Sequence, residues 1–132
     1  MKRALVLDTN VISEILRANP AVCRRFWHET GKQVTVLMSP MVYFEARRGL
    51  LKLKSQRLLQ KLDELSDLFL WIETTRGDWE EAAILWAQTQ THGHPVHDGD
   101  LIIAAQANRR GAVVVTGNVD HFEGVAHEVE TW

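Results

Sequence analysis

The sequence predicts an α/β fold with a mainly parallel central sheet flanked by helices, as a single domain over residues 1–132. Three observations predict it. Short runs that are apolar or β-branched recur at Ala4–Leu7, Val34–Met38 and Ala112–Val115, as in strands buried on both faces. Between them, apolar residues return at three- and four-residue steps, the helical period. Strands that alternate with helices in this way join as parallel neighbours through helical crossovers. The length of 132 residues fits one domain, with no linker, repeat or low-complexity segment to divide it.

The first apolar run ends in Asp8-Thr9-Asn10, after which Val11, Ile12, Ile15 and Leu16 mark a helix. Asn19-Pro20 breaks it, and Pro20 opens a second helix over Ala21–Glu29. Phe26 and Trp27 are expected to face the core, and Gly31 to end that helix. Val34–Met38, rich in β-branched residues, is the next strand. Ser39 is expected to cap the following helix with Pro40 at its first position. Glu45 interrupts the apolar Met41, Val42 and Phe44 there, and Gly49 marks either the helix end or a close contact. Leu58, Leu59, Leu62, Leu65, Leu68 and Phe69 share one face of an amphipathic helix. Leu70–Thr74 reads as a short strand, Trp79, Ala82, Ala83 and Trp86 as another helix, and Thr91–Pro95 as loop. Asp98-Gly99-Asp100 opens a helix that is apolar almost all round, the pattern of a buried helix. Arg109, Arg110 and Gly111 close it. Ala112–Thr116 is the last strong strand, and a weak one is expected over Val125–Val129.

Charge and composition exclude more than they assign. A formal net charge of -2 gives no global attraction to nucleic acid. Any such contact falls to a local basic patch. The single cysteine, Cys23, excludes an intrachain disulfide and a cysteine-cluster metal site, and fits a reducing compartment. The apolar run after Met1-Lys2-Arg3 is too short for a signal peptide, and none is long enough to span a membrane. A cytoplasmic protein with no membrane partner is expected.

The acids carry the chemistry. In open α/β sheets, ligands bind outside the carboxyl ends of the strands. Asp8 follows the first strand and Asp120 the last strong one, so the two are expected at one sheet edge. Glu45 lies about a turn and a half into its helix, close enough to join them. Asp98 and Asp100 join if their helix starts at that edge. Each acid also has a plain structural use: Asp8 as a helix cap, Asp98 or Asp100 as the cap of the buried helix, Asp120 as a turn residue, Glu45 as an ion-pair partner. Carboxylates gathered in one cleft raise each other's pKa unless a cation sits among them. Mg²⁺ suits such a site, and one or two such ions serve phosphodiester cleavage. Zinc does not fit, for want of a Cys/His ligand set. His92, His94 and His97 are explained by a short polar loop, with no fourth ligand evident.

The chain resembles the PIN-domain family, and within it the VapC-type toxins of bacterial toxin–antitoxin pairs. The matching pieces are Leu5–Asn10 with Ser13-Glu14, Ser39 through Glu45 to Arg48-Gly49, Asp100–Ala105 and Val115–Phe122. They come in the family's order and span the chain, and the ending Glu130-Thr131-Trp132 is also similar. The resemblance implies a PIN-like three-layer fold and a ribonuclease dependent on Mg²⁺ or Mn²⁺. Structured RNA, transfer or ribosomal, is the implied substrate. A homodimer and a cognate antitoxin are also implied, together forming a larger complex. It carries over Asp8, Glu45 and Asp100 as catalytic and metal-holding acids. Asp98 is left as an accessory ligand or a cap. The chain departs from the family at the fourth acid: His121 stands where many members have Asp or Glu, and Asp120 is the only acid nearby. Thr116 and Asn118 are candidates for orienting a water at the metal.

RNA needs cations for its phosphates. Arg47, Arg48, Lys52, Lys54, Arg57 and Lys61 form the best basic stretch, with Arg47 and Arg48 as candidate RNA contacts or as partners of nearby acids. Two competing readings remain. An aspartyl-phosphate hydrolase would carry a second carboxylate where Asn10 stands. A catalytically impaired PIN-like module that binds RNA or protein fits the altered fourth acid.

Overall fold

The computed structural model describes residues 2–93 and 95–132. Five strands, β1 (Arg3–Leu7), β2 (Val34–Met38), β3 (Leu70–Trp71), β4 (Val113–Val115) and β5 (Val129–Glu130), form one sheet in the order β3-β2-β1-β4-β5. Every pairing is parallel. Six helices connect them among the described residues: α1 (Thr9–Leu16), α2 (Pro20–Thr30), α3 (Pro40–Lys52), α4 (Gln56–Ser66), α5 (Arg76–His92) and α6 (Asp98–Arg109). The chain builds outward from β1 to β2 and β3, then returns past β1 to lay down β4 and β5. Right-handed crossovers therefore place α1–α4 on one face and α5–α6 on the other. The order reverses between β1 and β4, the place where such sheets hold ligands.

Burial explains the sequence pattern. Leu5, Val6 and Leu7 of β1 and Val113, Val114 and Val115 of β4 are all buried. So is α6 from Leu101 to Ala107, which accounts for its lack of a polar face. Gln106 is the one polar side chain in that stretch, and both its amide oxygen and its amide nitrogen are bonded. Ser39 Oγ donates to its Oε1 at 2.6 Å, and its Nε2 donates to Thr74 Oγ1 at 2.9 Å. A second buried polar group locks α5 to α6. Asp78 accepts from Arg109 at 2.8 Å and from Arg110 at 2.9 and 3.0 Å, and also from the Thr75 backbone N–H in a capping box. No helix of the described residues is long and apolar enough to cross a membrane.

Several local expectations are corrected. Phe26 is buried, but Trp27 is 61% exposed, because consecutive helical residues point about 100° apart. Ser39 holds the cap position of α3 without a capping bond, since its hydroxyl is committed to Gln106. Gly49 neither ends α3 nor makes a close contact. α4 stops at Ser66, so Leu68 is exposed, while Phe69 packs near Phe26 at 5.9 Å between ring centres. β3 is only two residues long, at the sheet edge. α5 runs on through His92, into the expected loop, and ends at Gly93 in the left-handed conformation (φ 72°). His97, not Asp98 or Asp100, is the residue before α6. The last strand is Val129–Glu130, because Phe122–Ala126 turns back on itself through bonds to the Phe122 carbonyl.

Candidate active site

Asp8 sits where β1 passes into α1. Its backbone N–H donates to the Val115 carbonyl at 2.8 Å, extending the β1–β4 pairing by one step. Its carbonyl accepts from Val11 and Ile12 and starts α1, so the residue is held on both sides. The carboxylate is buried and satisfied: Oδ1 accepts from the Thr9 N–H at 2.8 Å and Oδ2 from the Thr116 hydroxyl at 2.9 Å. Asp8 is thus both the helix cap and a wall of the cleft.

The cleft has a volume of about 700 Å³. Asp8, Glu45 and Asp100 all line it, from the end of β1, the second turn of α3 and the first turn of α6. Glu45 is fixed by the Thr9 hydroxyl, which donates to Oε1 at 3.0 Å, while Arg48 Nη2 stands 3.8 Å from Oε2. A Cβ on Gly99 would come within 3.2 Å of Glu45 Oε2. The small residue at the start of α6 therefore lets that carboxylate and Asp100 share the space.

Asp100 is the perturbed member. Its carboxyl is pushed up to about 6 by burial first, then by the negative charge of Asp8 and of Glu45, with His121 and His97 opposing. His121 Nδ1 lies 3.8 Å from Asp100 Oδ2, and its Nε2 is 2.9 Å from the Asn118 amide nitrogen. The ring thus presents Nε2 to the Asn118 amide and Nδ1 to Asp100.

The loop after β4 is braced from the first turn of α1. The Gly117 N–H donates to Asn10 Oδ1 at 3.0 Å, and the Asn118 N–H to Thr116 Oγ1 at 3.0 Å. Thr116 has one proton and gives it to Asp8, so it holds the acid and has none left to donate to a water. Asn118 turns its amide to His121.

The other sequence candidates fall elsewhere. Asp98 lines a separate hollow with Trp79, Ala83 and Trp86, on the α5 side of its helix. Asp120 lines another with His92 and Glu123. Arg47 is turned away, bonded to the Tyr43 hydroxyl at 3.1 Å and to Asp63 at 3.3 Å. Arg48 lines the cleft. His97 lines it too, whereas His92 does not, and His94 lies outside the described residues.

Sequence reasoning passed over Thr9, Asn10, His97, His121 and Phe44 as site residues. Thr9 and Asn10 adjoin Asp8, which was a usable signal. Phe44, apolar in sequence, is 54% exposed in the cleft wall.

The donor set fits a hard divalent cation. Three carboxylates face one space, and the charges of Asp8 and Glu45 raise Asp100, which a cation among them would relieve. Among the described residues, no three His, Cys, Asp or Glu side chains already close round a point as a complete cage would. Mg²⁺ asks less, because it usually keeps several waters and takes one or two carboxylates.

Comparison with known proteins identifies the family of the fold. A family model described as the PIN domain matches residues 5–128. Toxin FitB of Neisseria gonorrhoeae is 32% identical over 125 residues, covering 89% of this chain and 90% of that protein. The VapC ribonuclease Y4jK of Sinorhizobium fredii is 29% identical over 134 residues, covering 95% and 94%. Among solved structures, DNA-bound VapBC from Salmonella typhimurium has a TM-score of 0.86 and 26% identity, with 98% of each chain covered.

Proposed function

Because the chain belongs to the PIN-domain family, we propose that it is a VapC-type toxin, a metal-dependent endoribonuclease. Its reaction is hydrolysis of a phosphodiester in structured RNA, transfer or ribosomal. The observation that carries the proposal is the convergence of Asp8, Glu45 and Asp100 from three separate elements on one cleft. Their mutual charge supports the use of a cation.

Asp8 and Asp100 would hold Mg²⁺ or Mn²⁺, with Glu45 as the third acid of the set. A divalent ion held there would supply activation of a water and neutralisation of charge on the phosphate. The chain's own groups do the positioning. Thr116 fixes Asp8, and Thr9 fixes Glu45. Arg48 offers a cation at the cleft wall for substrate phosphate.

The Salmonella relative is a VapBC complex, which supports a cognate antitoxin as partner here. The homodimer follows from the family resemblance alone. A toxin that cuts cellular RNA acts in the cytoplasm.

Purified protein incubated with total transfer and ribosomal RNA and Mn²⁺ or Mg²⁺ tests the proposal. Discrete fragments are expected, absent with EDTA and absent for an identically prepared Asp100→Asn sample. Fragments that persist in Asp100→Asn would refute the assigned site. No cleavage by folded, antitoxin-free protein that Mn²⁺ still stabilises would favour the binding-module reading.

A further inference from the structure

Phe44 is out of place as a structural residue. It precedes Glu45 on α3 and lines the acid cleft, yet its ring is 54% exposed. Exposing a large aromatic ring forgoes the burial that usually stabilises it, of order 25 cal/mol per Å². The ring is not left to itself either. The Arg48 guanidinium, one helical turn on, lies over it with 4.9 Å from Cζ to the ring centre. The same guanidinium stands 3.8 Å from Glu45 Oε2. A cation, an aromatic plane and a carboxylate are thus stacked side by side at the cleft.

Arg47 makes the contrast. It too lies over an aromatic ring, Tyr43, at 5.9 Å, but it is tied to Asp63. The Tyr43 hydroxyl in turn donates to Asp63 at 2.8 Å. That pair is spent on holding α3 to α4. Among the described residues the Phe44–Arg48 pair has no such partner on another helix, and it faces the space where the substrate phosphate is expected.

Resting on the nuclease reading above, we propose that Phe44 and Arg48 form a stacking platform for one unpaired RNA base next to the scissile phosphate. Phenyl rings and guanidinium planes are the two surfaces on which proteins stack splayed-out bases. Stacking needs an open base face, which a paired base inside a duplex does not have. The platform therefore selects an unpaired nucleotide at the cut. Being blind to base edges, it adds affinity with little sequence preference. Phe44 is a binding residue here, and Arg48 adds charge for the adjoining phosphate.

The test uses ten-nucleotide single-stranded RNAs of mixed sequence, each with 2-aminopurine at one position, and the same strands annealed to complements. Binding is read by anisotropy and stacking by 2-aminopurine quenching, in full-length Asp100→Asn protein so that cleavage does not interfere. Quenching at one position is expected. Adding Phe44→Ala should weaken single-strand binding about 10-fold or more and abolish the quench, as loss of one base–aromatic stack does. Phe44→Trp should restore both, and duplex binding should not respond to either change. An exposed ring is dispensable for folding, so thermal unfolding of Phe44→Ala should match its parent. Equal single-strand binding, or a quench that survives Phe44→Ala, overturns the proposal. Metal-dependent cleavage by the Phe44→Ala variant of the otherwise unaltered chain, with KM unchanged, would sink the platform and leave the nuclease standing. A Phe44-dependent quench in a chain that cuts nothing would do the reverse.

Discussion

The Thr116 hydroxyl donates a 2.9 Å hydrogen bond to Asp8 Oδ2 across the point where the strand order reverses. The two residues are 108 apart in sequence and end neighbouring parallel strands. The bond fixes the direction of a buried acid and joins the two halves of the sheet at the cleft.

Thr116→Val keeps the shape and removes the donor. Asp8 then carries a buried oxygen with one partner fewer, which costs about 1–3 kcal/mol. Urea unfolding should report that loss, and calorimetry should show weaker Mn²⁺ binding. Thr116→Ser, which keeps the hydroxyl, should restore most of both. Equal stability for the valine variant would mean that the bond contributes nothing.

Asp100→Asn should stabilise the metal-free protein near neutral pH. The carboxyl titrates at about 6 in the folded chain, well above its ordinary 3.8. A raised acid costs stability above its folded pKa, and the cost is relieved as pH falls from there toward the unfolded value. The shift corresponds to about 1–3 kcal/mol at pH 7. The asparagine removes that cost, and it should also remove stabilisation by added Mn²⁺. Thermal unfolding with and without the ion checks both, and a variant less stable than its parent without metal refutes the argument.

Asp78 should matter for stability and for nothing else. It is fully buried, and burial alone would raise its pKa. The bonds from Arg110, from the Thr75 N–H and from Arg109 outweigh that and hold it well below the usual range. Asp78→Ala removes the carboxylate that both arginines share, leaving Arg109 the Thr75 hydroxyl and Arg110 the Gln106 and Glu73 carbonyls, and should cost about 1–3 kcal/mol in denaturant unfolding. Any surviving folded protein should bind Mn²⁺ normally. A loss under 1 kcal/mol would show that these other acceptors suffice.

Acid should unfold the protein through the same kind of group. Glu29 is 3% exposed and paired with Arg3, Arg25 and Lys32. Burial opposes its ionisation, but these cations lower its pKa overall. A depressed carboxyl contributes stability that is present above its unfolded pKa of roughly 4 and lost as pH falls through the folded value. Stability should therefore decline below about pH 4, and less steeply in Glu29→Gln than in the parent.

The two neighbouring arginines should separate in their salt dependence. Arg48→Ala should weaken RNA binding and reduce the slope of log affinity against log salt by about 1, as for one lost phosphate contact. Arg47→Ala should leave the slope unchanged, because that guanidinium is already paired with Asp63. Equal slopes for both would contradict the placement.

Much of this protein was legible along the chain. An apolar run of four residues that ends in Asp8 suits a buried strand running into a polar edge, and β1 is that strand. A helix apolar on every side after Asp100 must be central. These patterns are local, and strand and helix periods report them directly. The tertiary structure decided which polar groups face the same space. Asp98 and Asp100 lie two residues apart on a helix, about 200° round the axis, so one enters the cleft and the other faces α5. Asp120 and His121 are consecutive in a 3₁₀ turn, about 120° apart, and it is His121 that turns inward. The same rotation by one residue exposes Trp27 beside buried Phe26 and sends Arg48 to the cleft while Arg47 pairs outside it. Sequence spacing sets the angle between two side chains, but the packing of the whole helix sets which of them points at the site.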